Sequence, residues 1–219
     1  MKDSFSNASD EFLTIAEQYS NKLHVSKCRK ILDEKGELVI ETPHYNSDKN
    51  IIRMDENIDV EEYAIIFRHE YGHFIDAQLN RPSMSELFYQ AIIADSDWYD
   101  IETDMGRKNL DKMLSELKNS DVFDNRYISD ILSGVFHNEK VIVDTYWENG
   151  VGYYHHTNNY WDEITGPEKA MQREVFANLF ALYVENDSQV VSFMERYFPN
   201  STKRFKITIG GQNDGHKRI

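Results

Sequence analysis

The feature that most constrains this chain is the stretch from Asp59 to Pro82. Asp59 offers a side-chain acceptor at a helix start and Glu62 follows three residues later, a capping-box pattern. Tyr63, Ile66, Phe67, Phe74 and Ala77 recur at helical spacing, and Asn80-Arg81-Pro82 ends the run. This span is therefore predicted to be one long helix. In its middle lies His69-Glu70-Tyr71-Gly72-His73, an H-E-x-x-H sequence. Residues four apart share a helix face, so both imidazoles can reach one metal ion. Glu70 stands beside the first of them, angled to meet a water at the metal rather than the metal itself. Neutral imidazole ligands, an open position for water and a carboxylate to take its proton suit zinc. With 8 histidines in the chain, random placement gives roughly 0.03 matches to this pattern. The competing explanation is an exposed helix face with two ordinary histidines, and Gly72 speaks against it. A mid-helix glycine costs about 1 kcal/mol relative to alanine, so another element is expected to approach that face closely.

An open zinc site needs a third protein ligand. Asp76 lies one turn past His73, but three consecutive ligands on one straight helix are awkward. Glu174 is the better candidate, because Glu174, Ala177, Asn178 and Ala181 fall on one helix face at i, i+3, i+4 and i+7. The two alanines leave that face flat enough for a second helix to pack against it, bringing a carboxylate to the metal. Asn178 can then hydrogen-bond a ligating histidine. A buried helix with an ordinary surface glutamate fits the same periodicity equally well.

No internal repeat or Gly/Ser-rich linker divides the 219 residues. The chain reads as a single domain over residues 1–219, with an N-terminal helical and strand part (1–49), a core (50–205) and a polar tail (206–219). A helix is predicted over residues 10–22. Leu38-Val39-Ile40 and Ile51-Met54 are strand candidates, the second reached through a loop from Pro43 to Asn50. Residues 83–135 read as largely helical, and Val141-Ile142-Val143 as a strand. Gly150 to Gly166 is an aromatic, His-rich loop. Thr165-Gly166-Pro167-Glu168 opens a long helix to about Glu185. A short helix from Val190 to Tyr197 ends at Pro199, and Lys206-Ile207-Thr208-Ile209 is a last strand candidate. The expected class is α+β, mostly helical, with a small sheet beside the helix that carries the histidines.

Composition removes several alternatives. The net charge of −14 repels a phosphate backbone, which argues against nucleic acid as a partner. The lone Cys28 excludes an internal disulfide or a thiolate zinc cluster, and with no paired base it does not suggest cysteine catalysis. No apolar run approaches the roughly 20 residues of a membrane span. The first residues lack a signal-peptide hydrophobic core, so a cytoplasmic location without membrane attachment is expected.

His69-Glu70-Tyr71-Gly72-His73-Phe74-Ile75-Asp76, followed by Glu174-Val175-Phe176-Ala177-Asn178-Leu179-Phe180-Ala181, resembles the gluzincin metallopeptidases. Within them it is similar to anthrax lethal factor and the Pro-Pro endopeptidases, whose motifs read H-E-x-x-H and E-x-F-A-x-x-F-A. Gly152-Tyr153-Tyr154-His155-His156, Tyr160-Trp161 and Tyr197-Phe198-Pro199-Asn200 also resemble zincin-like domains attached to phage minor head proteins and bacterial toxins. The resemblance covers roughly residues 50–205. It implies a zincin-like fold, zinc on His69, His73 and Glu174, Glu70 as general base, and a protein or peptide substrate. Two features depart from the pattern. The catalytic tyrosine that lethal-factor-like enzymes carry seven positions before the zinc glutamate is Pro167 here, and 100 residues separate His73 from Glu174. An oxyanion donor must then come from elsewhere, and His156 and Tyr160 in the aromatic loop are the candidates. That loop's aromatic residues equally suit covering an edge of the core.

Three functions compete on this basis. The first is an active zinc endopeptidase. The second is a zincin-fold module without activity that binds a partner or builds a phage particle. The third is a toxin directed at one host protein, phage-encoded or exported by a non-classical route. The acidic charge favours a basic substrate segment or partner, and the presence of Glu70 beside both histidines favours activity.

Overall fold

The structure is a computed structural model that describes residues 3–33, 35–136, 160 and 170–213. The expected strand at Val141–Val143, the Thr165–Glu168 helix start, His156 and Pro167 lie outside the described residues, as does the aromatic loop apart from Tyr160.

The fold is α+β and mostly helical. Helix α1 (Asp10–Ser20) precedes strands β1 (His24–Lys27), β2 (Lys30–Leu32), β3 (Leu38–Ile40), β4 (His44–Asn46) and β5 (Ile51–Met54). Helices α2 (Val60–Gln78), α3 (Glu86–Ser96), α4 (Asp104–Lys118) and α5 (Arg126–Val135) follow, and then α6 (Ala170–Glu185), α7 (Ser188–Tyr197) and α8 (Pro199–Asn213). The predicted strands at Leu38–Ile40 and Ile51–Met54 are both formed. One sheet has the order β1-β5-β4, with β1 parallel and β4 antiparallel to β5. A separate ribbon pairs β2 with β3. Strand β4 falls inside the segment expected to be a loop. It is held by pairing with β5, with Tyr45 opposite Ile52.

The Asp59 side chain accepts from the Glu62 N–H at 2.8 Å, as an N-cap should. The reciprocal half of the capping box is not used; Glu62 pairs with Arg126 at 3.0 Å instead. At the other end, Asn80 and Arg81 adopt left-handed backbone with φ of 64° and 55°. Asp76 accepts from Ser83 N at 2.9 Å and from Ser83 Oγ at 2.6 Å. These bonds pin the turn leaving α2 and engage the carboxylate that sequence offered as an alternative ligand.

Helices α2 and α6 cross at the centre of the core. Helix α6 is buried almost all round, so each polar side chain on it needs a partner inside the protein. A side-chain Cβ at Gly72 would lie 2.6 Å from the Ala177 carbonyl oxygen and 2.7 Å from its Cα. The expectation of a close neighbour at Gly72 is thus met by Ala177, on the face that Glu174 and Asn178 share. Tyr71 stacks on Phe180 and donates to the Ala16 carbonyl at 2.8 Å, tying α1 to the pair.

The C-terminal segment corrects the sequence reading. Lys206–Ile209 is not a strand but part of α8, and the start of the supposed polar tail packs into the core through Ile209, which is fully buried like Phe205 before it. Pro199 ends α7 and also begins α8, where a missing N–H costs nothing. Asp95 from α3 accepts from Asn200 N at 3.0 Å and Ser201 N at 2.7 Å, capping that helix from a distance. Among the described residues, no helix is long and apolar enough to cross a membrane.

Candidate metal centre

His69 and His73 lie one turn apart on α2, and Glu174 faces them from α6. Glu174 Oε2 is 3.0 Å from His69 Nε2 and 3.3 Å from His73 Nε2. The two Nε2 atoms are 3.2 Å apart. Bonds of about 2.0–2.1 Å to a tetrahedral zinc would set its ligand atoms about 3.3–3.4 Å from one another, so the triangle fits one such ion. Among the described residues these three form the group whose side chains could hold a metal.

The electrostatics of the triangle point the same way. Glu174 Oε2 is buried, and the polar atoms facing it are the two imidazole Nε2 atoms at 3.0 and 3.3 Å. Burial alone would raise the Glu174 carboxyl, but the two imidazoles outweigh it and hold the group well below the usual carboxylate range. At His69 burial opposes charge, yet the hydrogen bond and charge of Glu174 push the imidazole up to about 10. Three lone-pair atoms at this separation require a cation among them, a proton in the metal-free protein or a metal ion in its place.

Neighbouring side chains orient His69 and Glu174. His69 Nδ1 lies 2.8 Å from Asn178 Oδ1, the contact expected from the shared face of Glu174 and Asn178. Asn178 in turn donates from Nδ2 to Asp130 Oδ2 at 2.7 Å. Asp130 is a residue sequence reasoning missed; an aspartate inside a helix carries no spacing signal, and α5 meets α6 only through tertiary packing. Tyr160 donates its hydroxyl to Glu174 Oε1, and burial beside that carboxylate pushes its pKa upward. The structure therefore joins Tyr160 to Glu174, where sequence offered it as an oxyanion donor.

Glu70 faces the same space. Its Oε2 accepts from the Tyr45 N–H of β4 at 2.7 Å, while its Oε1 takes no hydrogen bond from the described residues. A cleft of about 420 Å³ holds His69, Glu70, His73, Glu174 and Tyr160, walled by Ile31, Pro43 and Tyr45. A smaller pocket of about 70 Å³ opens beside His69 and Glu70, lined by Pro43, Ile65, Ile66 and Tyr127.

Comparison of the chain with protein-family models, curated proteins and solved structures finds no match.

Proposed function

We propose that this protein is a zinc-dependent metallopeptidase that hydrolyses peptide bonds in a protein or peptide substrate. The observation that carries the reading is the convergence of His69, His73 and Glu174 within 3.3 Å of one another, with the Glu70 carboxylate opening on the same cleft. The resemblance of the two helix motifs to gluzincins supports it.

His69, His73 and Glu174 would hold the ion. Zinc, when bound in such an open site, polarises a carbonyl and makes water more acidic. The Tyr45 N–H fixes one oxygen of Glu70 and leaves Oε1 free to accept a proton from water in the cleft. That water's oxygen attacks the scissile carbonyl, and Glu70 returns the proton to the departing amine as the C–N bond breaks. Water is consumed, and an acid and an amine are released. Strand β4 is an outer strand of its sheet and one wall of the cleft, which suits a polypeptide lying extended. The apolar pocket beside His69 and Glu70 suits a small side chain flanking the bond.

The test pairs zinc content with a peptide-library cleavage assay. Wild type should carry one zinc per chain and cleave; Glu70→Gln should keep the zinc and lose 10²–10⁴-fold in rate. Zinc binding with no cleavage of any peptide would put the inactive binding or structural module ahead. Absence of zinc would remove the peptidase reading.

A further inference from the structure

We propose that Asp130 is a positioning residue of the metal centre: acting through Asn178, it fixes which nitrogen of His69 carries the proton. The inference rests on the metal-site reading above. Asp130 and Asn178 are 1 % and 2 % exposed, so neither finds its partner in solvent.

An asparagine amide can face a neighbour with its oxygen or, after a half-turn, with its NH₂. The two orientations impose opposite states on His69. With Oδ1 toward the ring, as here at 2.8 Å, Nδ1 must bear the proton and donate it. A neutral imidazole then keeps a bare lone pair on Nε2, the atom 3.0 Å from Glu174 Oε2. With NH₂ toward the ring, Nδ1 would have to accept, the proton would move to Nε2, and that nitrogen could not ligate. His69 does not itself choose between these, since either tautomer satisfies one amide orientation. Asp130 does. Its Oδ2 accepts from Asn178 Nδ2 at 2.7 Å, a contact compatible with one amide orientation alone. The order carboxylate, amide, imidazole therefore runs in one direction and ends in a lone pair aimed at the metal position.

The rival explanation is that Asp130 merely joins α5 to α6. Zinc affinity, measured by competition with a chelator, separates the two across a double-mutant cycle. Asp130→Asn offers Asn178 either a donor or an acceptor and removes the choice, so affinity should fall about 10–100-fold, the range for losing an outer partner of a ligating histidine. Asn178→Asp alone puts two buried carboxylates in contact and should lower the melting temperature of the metal-free protein. Combining Asp130→Asn with Asn178→Asp restores the direction. An amide at position 130 then donates to a carboxylate at position 178, whose other oxygen accepts the ring N–H of His69. Zinc affinity of this double variant should return to within a few-fold of wild type. A ¹⁵N-resolved spectrum of the zinc-loaded wild type, which needs no variant to fold, should show the His69 proton on Nδ1.

Zinc affinity of Asp130→Asn within twofold of wild type, a double variant no better than Asp130→Asn, or a His69 proton absent from Nδ1 would each overturn the proposal. If wild type binds no zinc, the metal-site reading falls and this inference with it; if wild type binds zinc but the cycle shows no rescue, only the role of Asp130 falls.

Discussion

Replacing Gly72 by alanine sets two known effects against each other at the contact that builds the site. Helix propensity alone would make the substitution stabilising by about 1 kcal/mol. The structure opposes it: the new methyl would sit 2.6 Å from the Ala177 oxygen and 2.7 Å from its Cα. Both are backbone atoms of a buried helix, so no side chain can swing aside. Moving that oxygen out to ordinary contact at 3.4 Å requires α2 and α6 to part by about 0.8 Å, and overpacking of this kind costs about 1–3 kcal/mol. With backbone on both sides the upper end applies, leaving a net loss of about 2 kcal/mol after the propensity gain. For a chain of this size that is a fall of about 4–8 °C in melting temperature. The same displacement widens the distances from Glu174 to His69 and His73, now 3.0 and 3.3 Å, while the histidine pair on one helix keeps its spacing. Zinc affinity should therefore drop at least about 10-fold. Thermal unfolding with zinc and with chelator, together with a zinc titration, measures both. A Gly72→Ala protein that melts higher than wild type and binds zinc equally well would refute the close crossing and its role.

Four further outcomes rest on the same geometry. Tyr160→Phe removes the donor to Glu174 Oε1 and should weaken zinc about 10-fold; a loss of turnover with zinc affinity unchanged would instead make Tyr160 an oxyanion donor. Asp76→Ala leaves the buried Ser83 N–H and hydroxyl without their acceptor and should cost about 1–3 kcal/mol in chemical denaturation, with zinc affinity kept; lost zinc would make Asp76 a ligand. Because Glu174 pushes the His69 pKa up to about 10, zinc must displace that proton, so its apparent affinity should fall about tenfold per pH unit below pH 10. In the metal-free protein the raised His69 contributes stability that is complete below its ordinary value of 6.5 and lost as pH rises toward about 10. Melting temperature should therefore decline over that window with chelator present, and a flat profile would contradict the assignment.

The parts of this molecule legible in its sequence are those where a local period and a chemical requirement coincide. The register of His69, Glu70 and His73 follows from one helix. The face shared by Glu174, Ala177 and Asn178 follows from another, and Gly72 announced that something must lie close. What stayed hidden depends on partners far along the chain. Strand β4 is three residues whose pairing with Ile51–Met54 decides their conformation, and nothing in His44-Tyr45-Asn46 itself demands it. Ile207, Thr208 and Ile209 favour a strand by propensity. The burial of Phe205 and Ile209 four apart, and the cap supplied by Asp95, make them a helix instead.

The site residues divide along the same line. The candidate ligands lie on faces that single helices define, His69 and His73 on one and Glu174 on another, so spacing exposes them. Spacing exposed Asn178 as well, but groups that orient the site from other elements, such as Asp130 on α5, are chosen by whichever neighbour the packed core brings to them. Helix α6 nevertheless offers a rule for finding them once the fold is known. Its buried surface admits three polar side chains in succession, Gln172, Glu174 and Asn178. Each has its own account: Gln172 donates to the Ser83 carbonyl at 2.9 Å, Asn178 bridges Asp130 and His69, and Glu174 Oε1 takes the Tyr160 hydroxyl. The other Glu174 oxygen, Oε2, faces only the imidazoles of His69 and His73. Without a cation between them this oxygen and the two imidazole lone pairs would face one another unpaired, at a cost of about 1–3 kcal/mol. A proton on His69 or a metal ion in its place offsets this cost, and the zinc content of the purified protein tells the two apart.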